Sequence, residues 1–227
     1  MIGAQIRLRY PLADGAAERF DRFDALLRAA NERMDLTNVT DPGEALEKHY
    51  LDSLTALPYL PQGARCIDVG TGAGFPGVPL LLARPDLSMT LLDALQKRIR
   101  FLQDALALLA VQAECVHGRV EDFARLHRET YDVALSRAVA PLPILLEWLL
   151  PLVRVGGRCI LWKGPAAQAE MADAARVSPL LGGGPPHMVD APSGGAGRGH
   201  VLVLVEKEQP TDSRFPRKAG MAKKRPL

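Results

Sequence analysis

Between Asp14 and Met34 the apolar residues Phe20, Phe23, Leu27, Ala30 and Met34 recur at steps of three and four, one face of an amphipathic helix. A second helix is predicted from about Glu44 to Leu57, with Leu46, Tyr50, Leu54 and Leu57 turned inward. With the Asp35–Asp41 connection, this pair reads as an N-terminal helical cap over residues 1–60. After Pro58 the period changes. Short apolar runs at Arg65–Gly70, Ser88–Asp93, Gln112–His117, Tyr131–Ser136 and Arg158–Lys163 read as strands. Between them lie helical patterns at Phe75–Ala83, Leu95–Leu109, Glu121–His127 and Leu142–Val153. Strands alternating with helices imply right-handed βαβ crossovers and a doubly wound, mostly parallel α/β sheet, which binds ligands beyond the carboxyl ends of its strands. Val201–Glu206 can close the sheet as a last strand, antiparallel where the chain returns as in a hairpin, so the α/β domain spans 61–207. Ser178–Gly199, rich in glycine and proline, reads as loop with at most a short strand near His187–Asp190.

Composition excludes more than it selects. At 227 residues, 48% hydrophobic and 24% charged, the chain is apolar enough for one good-sized core and too apolar for disorder. No apolar run reaches the length of a membrane span, and no apolar segment follows Arg7 and Arg9 as in a signal peptide, so the expected compartment is the cytoplasm. Cys66, Cys115 and Cys159 lie singly inside predicted strands, which points to small buried groups rather than a metal site. Charge is distributed unevenly. The chain carries 28 Lys and Arg against 26 Asp and Glu, yet residues 213–227 hold six cations and no acid. A mildly acidic body with a basic tail, 208–227, faces a polyanion, with nucleic acid the leading candidate. On this reading the tail is an RNA-binding arm separable from the cofactor site.

The chemistry concentrates in Asp68-Val-Gly70-Thr-Gly72-Ala-Gly74-Phe75-Pro-Gly77. Glycines at the end of a strand let a ligand approach the backbone where a Cβ would collide. Gly72, Gly74 and Gly77 satisfy the dinucleotide spacing, but three details oppose an NAD-linked oxidoreductase. Gly70, not Gly72, ends the strand. The following helix holds Pro76 and Pro79 and is finished by Pro85, and the acid before the first glycine suits a cationic ligand better than a pyrophosphate. The pattern acid-x-Gly-x-Gly-x-Gly looks like motif I of S-adenosylmethionine (AdoMet) methyltransferases. Asp93, ending the second strand, is placed to accept ribose hydroxyls, or else to cap the helix at Leu95. Arg119-Val120-Glu121 follows the third strand and Ser136-Arg137-Ala138 the fourth. The latter replaces the Asn/Asp-Pro-Pro-aromatic motif of exocyclic-amine methyltransferases. No cysteine there could attack a pyrimidine.

These residues, with Asn31, Asp35-Leu-Thr37, Lys48-His49, Asp52-Ser53, Leu91-Leu-Asp93, Lys97-Arg98, Phe101-Leu102, Lys163-Gly164 and Arg214-Phe-Pro-Arg-Lys-Ala-Gly220, resemble the RsmG (GidB) family of bacterial 16S ribosomal RNA guanine-N7 methyltransferases. Asp35 departs from the Asn usual in that family, and Ser178–Gly199 has no clear counterpart. The resemblance implies a seven-stranded, Rossmann-like AdoMet-binding fold and a guanine in a loop of 16S rRNA, or of the small subunit, as substrate. It implies cofactor contacts at Gly70, Phe75, Val120, Glu121 and Arg137, to which the residues themselves add Asp68, Gly72 and Asp93. Lys97, Arg98, Lys163, Arg217 and Lys218 are candidate phosphate contacts. No catalytic residue is singled out, no metal is expected, and the chain is expected to act as a monomer. A non-catalytic RNA-binding assembly factor remains the other reading, because methylation of a neutral N7 lone pair needs no diagnostic base.

Overall fold

The computed structural model describes residues 1–137, 139–164, 167–191 and 201–227. Its elements in chain order are α1 (Ile2–Arg7), α2 (Ala16–Met34), α3 (Pro42–Ala45), α4 (Asp52–Leu54), β1 (Arg65–Val69), α5 (Gly77–Ala83), β2 (Ser88–Asp93), α6 (Gln96–Leu108), β3 (Glu114–His117) and α7 (Val120–Leu126). They continue with β4 (Tyr131–Arg137), α8 (Leu142–Leu149), β5 (Val153–Lys163), α9 (Ala167–Val177), β6 (His187–Asp190), β7 (Val201–Glu206) and α10 (Met221–Lys224). The seven strands form one sheet in the order β3-β2-β1-β4-β5-β7-β6. Pairing is parallel from β3 through β5, while β7 runs antiparallel to both β5 and β6.

Alternation along each strand builds a layer on either face. Cys66, Met89, Leu91, Val133, Leu135, Ile160 and Leu202 pack with Phe20, Phe23, Leu27, Tyr50, Leu54, Val78, Leu80 and Leu102 from the N-terminal helices, α5 and α6. Ile67, Leu92, Ala134, Cys159, Leu161 and Val203 pack on the other face with α7, α8, α9 and the buried tail residues Phe215 and Ala222. Period-two side chains facing opposite layers are what a sheet covered on both faces requires. No helix among the described residues is long and apolar enough to cross a membrane.

Three local expectations need correction, and one helix was not expected. The helix predicted over Glu44–Leu57 is instead α3, a π-helical stretch at Leu46–Leu51 and then α4. The wide turn advances the helix face, and every residue from Tyr50 to Ala56 is buried, two of them polar neighbours, Asp52 and Ser53. The strand expected from Arg158 begins at Val153 and carries a register irregularity opposite Tyr131 and Val133, where Gly156 and Gly157 interrupt the sequence signal. Helix α9 had no apolar stripe to announce it, since its buried residues are Ala167, Ala174 and Val177. Cys66 and Cys159 are buried as expected, but Cys115 on the edge strand β3 is half-exposed.

Candidate functional site

At the end of β1 the chain turns at Gly70, whose φ is +74°. A Cβ there would lie 2.6 Å from Val139 Cγ2. Only glycine tolerates both the backbone conformation and the approach. The N–H groups of Gly70 and Thr71 donate to Leu92 O at 2.8 and 3.1 Å, and Gly72 N–H donates to Asp93 Oδ2 at 3.0 Å. The loop is therefore pinned to the end of the neighbouring strand.

Asp93 does more than one thing. Its Oδ1 accepts from Leu95 N–H at 2.8 Å, closing the turn that leads into α6, and its Oδ2 also accepts from Arg98 Nη1 at 3.3 Å. That pair explains a cation in the first turn of a helix, where the helix dipole disfavours it. A carboxylate offers about four acceptor positions. With three occupied, Asp93 keeps one for a ligand.

Asp68, expected at the cofactor, lies beneath the loop. It is fully buried, and its Oδ2 accepts from Gly77 N–H at 2.9 Å. Burial pushes its pKa up to about 6, against the opposing pull of Thr71 and of that amide.

A cavity of about 320 Å³ opens at the carboxyl ends of β1, β2 and β3, within the usual size of small-molecule sites. Gly70, Asp93, Val120 and Glu121 line it, together with Trp148 and Gly220. A larger cleft of about 930 Å³ opens beside Arg65, Ser88 and Glu114, where those strands begin. None of the candidate cofactor or phosphate contacts lines it, and a doubly wound sheet binds at the opposite end.

Phe75 and Arg137 do not line the 320 Å³ cavity. Phe75 stacks on His49 with ring centroids 4.5 Å apart and meets Tyr50 edge-on at 5.2 Å. The Arg137 guanidinium lies 5.4 Å from the Phe75 centroid, pairs with Asp52 at 3.1 Å and donates to Lys48 O at 2.9 Å. His49 Nε2 is 2.8 Å from Thr37 Oγ1, and Asn31 braces the Leu36–Thr37 backbone through three hydrogen bonds. Burial, then the charge of Arg137, depress the His49 pKa to about 4, so the imidazole is neutral. Scattered residues of the family pattern thus form one polar network beside the glycine loop. Ala138 lies outside the described residues.

The candidate phosphate contacts are mostly engaged inside the protein. Lys97 Nζ donates to Met34 O at 2.6 Å, and Lys163 pairs with Glu170 at 2.9 Å. Arg217 donates from its side chain to both oxygens of the buried Glu147, at 2.8 and 2.6 Å, and from its backbone to Oε1 at 3.0 Å. Lys218 is exposed. The tail is therefore not a free basic arm. An acid inside the apolar run Leu142–Leu152 demanded a cation, and that signal was readable in the sequence. Trp148 and Lys223, by contrast, carried none. Among the described residues no cluster could hold a metal ion.

The profile of the GidB family, rRNA small subunit methyltransferase G, matches residues 16–191. The chain belongs to this family. It is 40% identical over 230 residues to ribosomal RNA small subunit methyltransferase G of Alkaliphilus oremlandii, covering 99% of this chain and 96% of that protein. It is 42% identical over 212 residues to the Moorella thermoacetica protein of the same name, covering 91% and 88%. Among solved structures, an O-methyltransferase from Bacillus cereus in complex with SAH superposes with a TM-score of 0.58 at 17% identity, covering 82% of this chain and 91% of that one. A methyltransferase from Pyrococcus furiosus gives 0.54 at 14%, covering 85% and 99%. The fold is the Rossmann-like α/β fold of the AdoMet-dependent methyltransferases.

Proposed function

We propose that this family member transfers a methyl group from AdoMet to N7 of a guanine in an accessible loop of 16S rRNA, acting as a monomer in the cytoplasm. The observation that carries the cofactor assignment is the cavity bounded by Gly70, Asp93 and Glu121 at the carboxyl ends of the strands. Its shape fits: a Cβ at Gly70 would close it against Val139, and the buried Trp148 Nε1–H on its wall has no acceptor among the described residues. The short α5 and the buried acid before Gly70 disfavour a pyrophosphate, which supports AdoMet over NAD.

In this reading the free acceptor position of Asp93 takes a ribose hydroxyl. Val120 and Glu121 border the adenine, and the pinned Gly70–Gly72 backbone borders the methionine end. AdoMet supplies an electrophilic methyl on a sulfonium. The protein holds guanine N7 in line with it, and such positioning is worth ~7–11 kcal/mol. N7 is a neutral lone pair, so no proton leaves it and no general base is needed. The neutral His49–Phe75 stack and the Arg137–Asp52 pair border the same loop and supply an aromatic face and fixed charge for the base. N7 lies in the deep, narrow groove of A-form RNA, so the target must stand in a loop or be splayed from the stack. Exposed Lys218, Lys224 and Arg225 serve as backbone contacts, with Lys97, Arg98, Lys163 and Arg217 acting through the internal pairs they make.

Incubation with methyl-labelled AdoMet and small-subunit RNA tests this reading. Label in the RNA is the expected result. A folded protein that binds the RNA and transfers no label favours the non-catalytic assembly factor.

A further inference from the structure

The C-terminal segment is fastened to the body at several points. Lys207 is buried and donates to Leu150 O at 2.6 Å and to Thr211 Oγ1. The Arg128 guanidinium donates to the carbonyls of Thr211 and Phe215 at 2.6 and 2.5 Å. The Phe215 ring is buried, and Arg217 is locked on Glu147. From this anchorage the chain reaches the cavity itself, where Ala219, Gly220 and Lys223 form part of the wall. Gly220 N–H donates to Glu121 Oε1 at 3.0 Å. Lys223 Nζ lies 5.4 Å from the centroid of the Trp148 ring, a cation–π contact, while Ala222 is buried beside them.

Two residues of this wall carry polar groups that the protein does not fully pair. Trp148 is only 5% exposed, yet its Nε1–H has no partner among the described residues, whereas buried indole N–H groups ordinarily find one. Glu121 is 4% exposed, and Gly220 binds one of its two carboxylate oxygens. A buried donor and a buried acceptor on one wall match the edge of an adenine, which offers acceptor ring nitrogens and a donor amine.

We propose that residues 219–223 are a positioning element of the cofactor site: Gly220 orients Glu121 and Lys223 holds the Trp148 indole, so that the pair reads the adenine edge. The proposal rests on the assignment of the cavity to AdoMet. It makes the basic tail two-sided, with Lys218, Lys224 and Arg225 exposed and the strap between them facing the cofactor. Because the contact is with the adenine, it does not discriminate the sulfonium of AdoMet from the thioether of S-adenosylhomocysteine.

Calorimetry with AdoMet and with S-adenosylhomocysteine tests the proposal on the full chain, on a chain ending at Lys218, and on Trp148→Phe, Lys223→Met and Lys223→Arg. Ending at Lys218 keeps Phe215 and the Arg217–Glu147 pair. The expected result is that both ligands weaken by the same factor, about tenfold or more in the shortened chain, which loses the Gly220 hydrogen bond and the Lys223 contact together. Trp148→Phe and Lys223→Met each show a smaller equal loss, and Lys223→Arg recovers most of the affinity. In turnover, Lys223→Met raises KM for AdoMet and leaves kcat at saturation unchanged. Lys223 is exposed, so its variants keep the test valid even if the shortened chain fails to fold. Unchanged affinity in Lys223→Met and Trp148→Phe overturns the proposal, as does a loss confined to one of the two ligands. If the full chain binds neither ligand, the cavity assignment fails, and the proposal fails with it.

Discussion

Replacing Asp93 with alanine separates the roles that meet in one carboxylate. The side chain accepts from Gly72 N–H, Leu95 N–H and Arg98, which leaves one acceptor position toward the cavity. Losing a charged hydrogen bond to a ribose hydroxyl costs ~1.5–3 kcal/mol, or about 10- to 150-fold in affinity. Losing the internal bonds is a separate cost. Releasing the Leu95 amide and the Gly72 amide costs ~1 kcal/mol each. About 2 kcal/mol lowers Tm by ~4–8 °C in a domain of this size. Calorimetric titration with AdoMet, at a temperature where the variant is folded by circular dichroism, measures the first cost, and thermal melts without ligand measure the second. Asp93→Asn keeps an acceptor for Leu95 and should recover the turn before it recovers AdoMet affinity. An Asp93→Ala protein that melts lower but binds AdoMet as tightly as the parent would refute the ribose role and leave Asp93 a loop pin.

Other expectations follow from the same geometry. Arg217→Ala leaves Glu147 buried without its main partner and should cost ~3 kcal/mol or more, whereas the paired change Glu147→Met with Arg217→Met should recover most of the loss; melts of the three proteins read this directly. Gly70→Ala forces a side chain onto a φ of +74° and against Val139, so AdoMet binding should fall by tenfold or more; unchanged binding would show that the cavity is not the cofactor site. Asp68 has a folded pKa of about 6, above its unfolded value, so the folded state holds the extra proton and stability contributed at low pH is lost as pH rises from about 4 through 6. Asp68→Asn should flatten that part of the stability–pH curve. His49 titrates near 4 when folded, below its unfolded value, so the unfolded state binds the proton and stability falls as pH drops from about 6.5 toward 4. Melts of His49→Gln across that window should lack the decline.

The layered sheet was legible because apolar alternation and helical spacing change period cleanly after Pro58, and because the glycine loop marks the end of β1. Asp93, Val120, Glu121 and Gly70 were legible for the same reason: each ends a strand or opens the helix after it, where such sheets bind ligands. The burial of Asp68 beneath the loop was not legible, since nothing in the spacing distinguishes a carboxylate that faces a ligand from one that accepts Gly77 N–H beneath the turn. The internal anchoring of the tail was illegible for a similar reason. Six cations without an acid describe a phosphate-binding arm equally well as a strap whose counter-charges lie far away in sequence, and Glu147 is 70 residues from Arg217. Helix α9 was illegible because only Ala167, Ala174 and Val177 of it are buried, and the π-helical turn before Asp52 because its wide turn shifts the inward face in mid-helix.

The central claim is methylation at guanine N7, and the chemistry of the product tests it most directly. Small-subunit RNA treated with the protein and AdoMet is reduced with borohydride and exposed to aniline, which cleaves the chain at 7-methylguanosine. The account predicts one new break, at a guanine in an accessible loop, that disappears when AdoMet is omitted. Methyl incorporation without that break, with nucleoside analysis returning N2-methylguanosine or a methylated pyrimidine, would contradict it.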